Sequence, residues 1–340
     1  MDKLPVEYDD GSNIRILDEG STILITGGMG FIGSNFIKFM LENYPENNYV
    51  NIDKLTYAGN PENLCDIEHF DNYKFIRCDI CDHEKVSEAM KGIDAVVHFA
   101  AESHVDRSLE NAGDFIQTNF FGSYVLLEAA LRCSVKRFIM ISTDEVYGDI
   151  QPGSFSVESD ILLPRNPYSA SKVAADRLAY SYHEAFQLPV IITRSSNNYG
   201  PFQFPEKLIP HFITNLIQGH KVPLYGDGLN IRDWLFVNDN CSAIAEVLMR
   251  GKNGEVYNIG GGNERTNIEI TRSLLSILEM DDSMIQYVQD RKGHDRRYAL
   301  DSNKITRELG WMPTMDFEKG IKETVNWYTQ NKPWWKKLLK

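Results

Sequence analysis

The chain has 340 residues, 42% of them hydrophobic and 24% charged, with a formal net charge of −13. This length and ordinary composition suit a globular protein of one large domain or two interlocked ones with a sizeable core. The acidic balance argues against a generic nucleic-acid binder. No apolar run approaches the roughly 18 residues of a membrane span, and the acidic start MDKLPVEYDDGSNIRILDEG lacks the apolar segment of a secretory signal.

Residues 1–20 read as an appendage, and a strand-helix alternation begins at Thr22. Short apolar runs predict strands over 23–26, 49–52, 74–76, 95–99, 138–141 and 189–194. Helices are expected over 35–42, 83–91 and 114–132. Such alternation specifies an α/β fold with a Rossmann-type, doubly wound parallel sheet. After Gly200 the pattern breaks into proline, glycine and short mixed elements, which predicts a smaller, interlocked mixed α/β substrate lobe. Residues 234–247 and 256–259 are expected to rejoin the first domain. The expected division is 21–200 plus about 232–260 for one domain, and about 201–231 plus 261–340 for the lobe. The basic, aromatic tail KPWWKKLLK reads as a C-terminal helix with a solvated end rather than a membrane-surface segment.

Five cysteines, Cys65, Cys78, Cys81, Cys133 and Cys241, form an odd and sparse set that suits reduced thiols in the cytoplasm. Cys78 and Cys81 make a lone C-x-x-C. His83 does not complete a metal-ligand set, so no metal site is expected.

The first strand runs into TGGMGFIG, with Gly27, Gly30 and Gly33 in G-x-x-G-x-x-G spacing. Asp53 follows Gly33 by twenty residues and ends the second strand, so the context is that of a dinucleotide site. The glycines let backbone approach a pyrophosphate at a helix N-terminus. Asp53 can accept hydrogen bonds from an adenosine ribose and repel a 2′-phosphate. NAD is therefore expected over NADP, with neighbouring Lys54 the one feature against it.

Further on, Asn166 can cap a helix whose first turn takes Pro167. Tyr168 and Lys172, four apart, then share one helical face. A tyrosine ordinarily titrates near ~10. A lysine and a cationic nicotinamide beside it would stabilise the phenolate and make it a usable base. The fifth strand ends in Thr143, Asp144 and Glu145, and ligands of open α/β sheets bind at that end of the strands.

Seven stretches together, TGGMGFIG, FAAESHVDRS, STDEVYG, YSASK, SNNYGPFQFPEKLIP, PLYGDGLNIRDW and DRKGHDRRYA, resemble the extended short-chain dehydrogenase/reductase family. More narrowly they resemble its dTDP-glucose 4,6-dehydratases of deoxysugar biosynthesis, over roughly residues 22–330. The adjacent Asp-Glu is the discriminating feature, since related epimerases and decarboxylases generally lack it. Two departures stand out: the first 20 residues have no counterpart, and Lys292 stands where family members often carry proline.

The resemblance implies oxidation of a hexose at C4 by NAD, loss of water across C5 and C6, and return of the hydride to C6. Elimination needs a base at C5 and an acid at the C6 hydroxyl, which are adjacent atoms, and so calls for adjacent carboxyls. Glu145 fits the base. Asp144 fits the acid if burial or its neighbouring carboxylate keeps it protonated. Thr143 would hydrogen-bond the C4 oxygen while Tyr168 takes its proton. The resemblance also places Phe31, Ile32, Lys54, Leu55, Thr56, Asp79 and Ile80 on the cofactor with the glycines and Asp53. Phe99, Ala100, Ala101, Glu102, Thr118 and Asn198 join them. Ser103 and Asn197 would touch the sugar. Lys207, Leu208, Pro223 and Tyr225 would line the base and phosphate region, and Arg232, Asn267, Arg291 and His294 would hold the diphosphate and ribose. Arg296 and Arg297 would add planar forks to that cluster. His98 and His104 read as structural. A homodimer built on the helices of 114–132 and 168–186 is implied as well. The same machinery could act on UDP-glucose or UDP-N-acetylglucosamine. A C4 epimerase or decarboxylase, or a cofactor-sensing protein on a retired enzyme fold, stand as further alternatives.

Overall fold

The computed structural model describes residues 17–339, so the expected appendage lies outside the described residues apart from 17–20. Seven parallel strands form the main sheet: β1 (Thr22–Thr26), β2 (Asn48–Asp53), β3 (Tyr73–Arg77), β4 (Ala95–His98), β5 (Arg137–Thr143), β6 (Val190–Ser195) and, later in the chain, β10 (Val256–Ile259). Their order is β10-β6-β5-β4-β1-β2-β3. The chain reverses its winding direction between β1 and β4, and it is outside such a switch that open α/β sheets bind ligands. β4 and β5 are buried along their whole length, as a parallel sheet covered on both faces requires. Helices Phe31–Asn43 and Val237–Arg250 pack together on one face. Helices His83–Ala89, Ser123–Cys133 and Pro167–Phe186 cover the other.

Between β6 and β10 the chain builds smaller sheets. β7 (Asn197–Tyr199), β9 (Ile231–Phe236) and β11 (Glu264–Thr266) form one of three strands, and β8 (Val222–Tyr225) pairs with β12 (Ile285–Val288). Trp234 to Phe236 therefore belong to the small sheet, whereas the expectation put 234 onward with the large one. The reason lies in β7, whose three residues leave β6 and pair with β9 in parallel. The helix that covers the large sheet begins at Val237, and Leu235 already packs into that sheet's core. A third core cluster, including Tyr199, Phe236, Leu274, Tyr328 and Trp335, seals this lobe. The terminal aromatics are part of it. Trp334 Nε1 donates to Asn63 Oδ1 at 2.9 Å, and Trp335 Nε1 donates to the Tyr328 carbonyl at 2.7 Å. Among the described residues no helix is long and apolar enough to cross a membrane.

The stretch expected as one helix over 114–132 is broken into Ala112–Phe115, a π-helical Ile116–Gly122 and Ser123–Cys133. Widened turns of this kind often serve sites. Here the turn aims Asn119 inward, where its amide donates to the Glu102 carbonyl (3.0 Å) and to Ser171 Oγ (2.8 Å). Glu102 N donates back to Asn119 Oδ1 at 2.8 Å. One side chain thus ties the loop after β4 to the helix that carries Tyr168.

Candidate active site

A long cleft runs across the carboxyl ends of the large sheet. At one end the glycine turn leaves β1. Gly27 has φ +71°, and a Cβ there would stand 2.6 Å from Ala100 N, so only glycine fits. A Cβ on Gly33 would meet the Gly27 carbonyl at 2.4 Å, which is what lets helix Phe31–Asn43 start tight against the turn. Gly30, Phe31 and Ile32 line the cleft beside them. Asp53 is buried at the end of β2. Its carboxylate accepts from Leu55 N (2.8 Å) and Met29 N (3.0 Å), which fixes it facing the cleft. Burial pushes its pKa up, and those two N–H donors act against the rise. Lys54, Thr56, Asp79, Ile80, Thr118 and the run from Phe99 to Ser103 line the same wall. The Leu55 side chain is half-buried against the first core cluster, while its N–H holds Asp53. His98 is buried between Thr26 Oγ1 (2.7 Å) and Ser123 Oγ (3.0 Å), and burial drops its pKa to about 3.

At the centre β5 ends in Thr143 and turns directly into a short 3-10 helix, Asp144–Tyr147. Thr143 caps that turn, accepting from Glu145 N at 3.3 Å and donating to Asp144 Oδ1 at 3.1 Å. Across from it, Asn166 and Ser169 form a reciprocal capping box with Pro167 in the first turn, as the sequence predicts for this helix start. That start sets Tyr168 and Lys172 into the cleft. Burial, and then the adjacent Glu145, raise Asp144 to about 8. Its Oδ2 is buried with no hydrogen-bond partner. Glu145 is also pushed up by burial, against the pull of Arg232, Lys207 and other groups. The pair therefore favours one shared proton over two charges.

The tyrosine departs from expectation. Burial and the charge of Glu145 push the Tyr168 phenol above its ordinary range, with the neighbouring Thr143 hydroxyl opposing them. Lys172 donates instead to the Ile141 carbonyl at 2.6 Å. Burial lowers its ammonium to about 8, while Asp176 one turn away pulls it up. Within the chain alone, the lysine is not what makes this tyrosine a base.

Beyond Glu145 the second lobe contributes. Asn197 and Asn198 on β7 line the cleft, and the Oδ1 of each is buried without a partner. Lys207 reaches back to the Ser103 carbonyl at 2.6 Å. Tyr225 on β8 lies under the Arg291 guanidinium at 5.0 Å and beside the His294 ring. His294 Nδ1 sits 2.6 Å from Asp290 Oδ1. Arg291 Nε and Asn267 Oδ1 are further buried atoms without partners. Arg232 donates to the carbonyls of Ile231 (2.7 Å) and Asp295 (3.0 Å). Pro223 on β8 pairs in register with Gln286 of β12, two residues before Tyr225, and Leu208, next to Lys207, is half-buried against the third core cluster. Lys292 is exposed, next to Gly293 at φ +64°.

Two arginines expected in the phosphate cluster are spoken for. Arg296 makes a two-pronged pair with Asp227 (2.8 and 3.0 Å). Arg297 does the same with Glu264 (2.6 and 2.9 Å) and also binds the Gln151 and Ser154 carbonyls. Arg232, and Arg291, which faces Asp106 at 3.6 Å, are the forks whose charge reaches Glu145. His104 caps a short helix by accepting from Arg107 N at 3.4 Å.

Other residues at the site were not anticipated. Tyr298 donates to Asp295 Oδ2 at 2.7 Å and stands 3.5 Å from Glu145 Oε2. Glu206 lines the cleft, accepts from Tyr57 OH at 3.0 Å and faces Arg107 at 3.5 Å. Both lie inside DRKGHDRRYA and SNNYGPFQFPEKLIP, beside residues already singled out, and that neighbourhood was the available signal. Cys78 and Cys81 are free thiols that donate to the carbonyls of Asp79 and Gln117. Among the described residues no three His, Cys, Asp or Glu side chains stand together as a metal site.

A glycine turn leaving β1, an acid ending β2 and a Tyr-x-x-x-Lys helix beside β5 define a dinucleotide-dependent enzyme of the short-chain dehydrogenase/reductase class. The family model for GDP-mannose 4,6 dehydratase matches residues 24–324, and the chain belongs to that family. A dTDP-glucose 4,6-dehydratase of Streptomyces niveus is 50% identical over 320 residues, covering 93% of this chain and 95% of that one. One from Actinoplanes is 50% identical over 318 residues, covering 92% and 99%. The crystal structure of DesIV, the dTDP-glucose 4,6-dehydratase of Streptomyces venezuelae, with NAD and dTDP bound, superposes with a TM-score of 0.92. It shares 49% identity and covers 93% of this chain and 99% of its own.

Proposed function

We propose that this protein is a dTDP-glucose 4,6-dehydratase, converting dTDP-glucose to dTDP-4-keto-6-deoxyglucose with a retained NAD. The observation that carries the reading is the adjacent, buried Asp144 and Glu145 at the end of β5, with Asp144 held neutral up to about pH 8. An epimerase has no water to eliminate and no need of such a pair. The cleft fits a dinucleotide: Gly27, Gly30 and Gly33 line its wall without side chains, Asp53 keeps acceptor capacity for a ribose, and the amide oxygen of Asn198 is unpartnered. When bound, NAD supplies the hydride acceptor and donor and a positive charge in the cleft.

The chain's own groups divide the remaining work. Tyr168 takes the proton of the C4 hydroxyl, with Thr143 hydrogen-bonding that oxygen. Glu145 removes the C5 proton, and Asp144 delivers its proton to the leaving C6 hydroxyl. The unpartnered Asn197, Asn267 and Arg291 atoms suit a polar sugar nucleotide, and Arg232 and Arg291 suit its diphosphate. In this reading 21–200 with about 237–260 carries NAD, and about 201–236 with 261–340 carries the sugar nucleotide. We also read the protein as a cytoplasmic homodimer. Its free cysteines and the exposed Ile116, Phe120, Tyr180 and Phe186 support that part. The test is incubation of the enzyme with dTDP- and UDP-hexoses. A 4-keto-6-deoxy product from dTDP-glucose is expected, at a kcat/KM well above that for UDP-glucose. Preference for a UDP-hexose would overturn the choice of base, and a C4 epimer as product would overturn the dehydratase reading.

A further inference from the structure

The adenosine end of the cleft holds a cation beside the residue that meets the ribose. Lys54 directly follows Asp53, and a basic side chain there is well placed to accommodate a ribose 2′-phosphate. In this fold that lysine is already engaged. Its Nζ lies 2.7 Å from Asp79 Oδ2. The partner is fixed in turn, because Cys81 N donates to Asp79 Oδ1 at 2.9 Å. The sheet sets up the meeting: β2 and β3 are parallel neighbours with Asp53 opposite Arg77, so Lys54 and Asp79 both emerge just past their carboxyl ends. Among the described residues the cleft lining holds three cations. The other two, Lys172 and Lys207, are bonded to the Ile141 and Ser103 carbonyls of the catalytic and sugar segments. The adenosine end therefore offers an incoming phosphate two carboxylates and one neutralised lysine.

We propose that the Lys54–Asp79 ion pair is a specificity device: Asp79 withholds Lys54 from a 2′-phosphate, and the cleft selects NAD over NADP through this pair as well as through Asp53. The proposal rests on the dinucleotide reading above. Asp53 alone is a modest barrier, since two backbone N–H groups already draw on its charge. Lys54 is largely solvent-exposed on a flexible stem, and freed from Asp79 it could swing to meet a phosphate.

The test is the binding of NADH and NADPH to nucleotide-stripped, full-length protein, read by energy transfer from tryptophan to the nicotinamide. Asp79→Asn keeps shape and hydrogen bonding but removes the charge. It is expected to shift the NADPH-to-NADH affinity ratio about 1.5- to 5-fold toward NADPH at low salt, the range of one exposed ion pair. The gain should shrink as salt screens it, and it should vanish in Asp79→Asn/Lys54→Met. Lys54→Met in the wild-type background, which needs no change at Asp79, should move the ratio far less than it does in the Asp79→Asn background. A folded Asp79→Asn with an unchanged ratio, a gain that survives in the double variant, or a large loss of NADPH affinity in Lys54→Met alone each overturns the proposal. Wild-type protein that binds neither dinucleotide overturns the cofactor reading itself, and this proposal with it.

Discussion

Asp144 is a carboxyl group that the fold prefers neutral. Its Oδ2 is buried without a partner, Glu145 stands next to it, and burial with that neighbouring charge lifts it to about 8 from an ordinary 3.8. As the general acid it must carry its proton, so turnover is expected to fall as pH rises through about 8. Asp144→Asn cannot deliver a proton. We expect its rate of water elimination to drop ~10²–10⁴-fold, with oxidised sugar and reduced cofactor accumulating in single turnovers at the nicotinamide absorbance band. Turnover near the wild-type rate would refute the assignment. Tyr168→Phe should behave differently, giving neither reduced cofactor nor exchange of the C5 proton, and ready reduction of NAD by that variant would remove Tyr168 from the first step. The same shift has a stability consequence. An acid whose pKa is raised by folding stabilises the native state fully below its unfolded pKa, and that contribution is lost as pH rises through the folded value. Asn at 144 is neutral at every pH. Asp144→Asn should therefore melt higher than wild type at alkaline pH, with a gap that widens from about pH 4 to about pH 8 and then levels. A gap that does not change with pH would mean that Asp144 is charged in the native protein.

Helix Pro167–Phe186 places Tyr168, Lys172 and Asp176 four residues apart on one face, and its third member anchors the helix. Arg194 on β6, fully buried, donates to Asp176 through Nε at 2.9 Å and Nη2 at 3.1 Å. It also donates to Tyr147 OH at 2.7 Å, and Tyr147 donates to Asn258 Oδ1 on β10 at 2.8 Å. Removing one member of a buried ion pair strands the other charge, at a cost of about 3–5 kcal/mol. Asp176→Asn is expected to lose that much in denaturant unfolding, and Asp176→Asn/Arg194→Met should recover part of it. A single variant within ~1 kcal/mol of wild type would show that the pair holds nothing together. Chain-local features of this element were legible beforehand: the Asn-Pro start, the four-residue spacing, and the apolar runs of β1, β4 and β5, which are continuous because the sheet is covered on both faces. The adjacency of Asp144 and Glu145 could be read for the same reason. Long-range partners could not. Arg296 and Arg297 look like free forks in sequence, and only the fold brings Asp227 and Glu264 to them. Tyr298 reaches Glu145 from 153 residues away. β7 and β11, three residues each, are too short to carry a period, so the second sheet left no trace in the pattern.

At the scale of the whole molecule, one exposed apolar region adjoins the cofactor cleft. Ile116 is 57% exposed, Phe120 37% and Phe186 54%, with Tyr124 and Tyr180 also open to solvent. They lie on the π-helical segment Ile116–Gly122, helix Ser123–Cys133 and helix Pro167–Phe186, which pack on one another. Several large apolar side chains on neighbouring helices mark a surface built to be covered, and a two-fold arrangement would cover it with its own copy. Static light scattering at micromolar concentration is expected to give twice the chain's 38.9 kDa. Phe120→Glu together with Phe186→Glu should give a monomer. The consequence should reach the cleft, because Asn119, next to Phe120, is the residue that holds Glu102 and Ser171 together. A partner that braces the π-helical segment also braces the wall of the cofactor site. The monomeric variant is therefore expected to bind NADH severalfold more weakly than wild type, with its far-ultraviolet dichroism unchanged. A wild-type monomer would refute the assembly. A monomeric variant with undiminished NADH affinity would confine the partner's role to burying surface and detach it from the cofactor site.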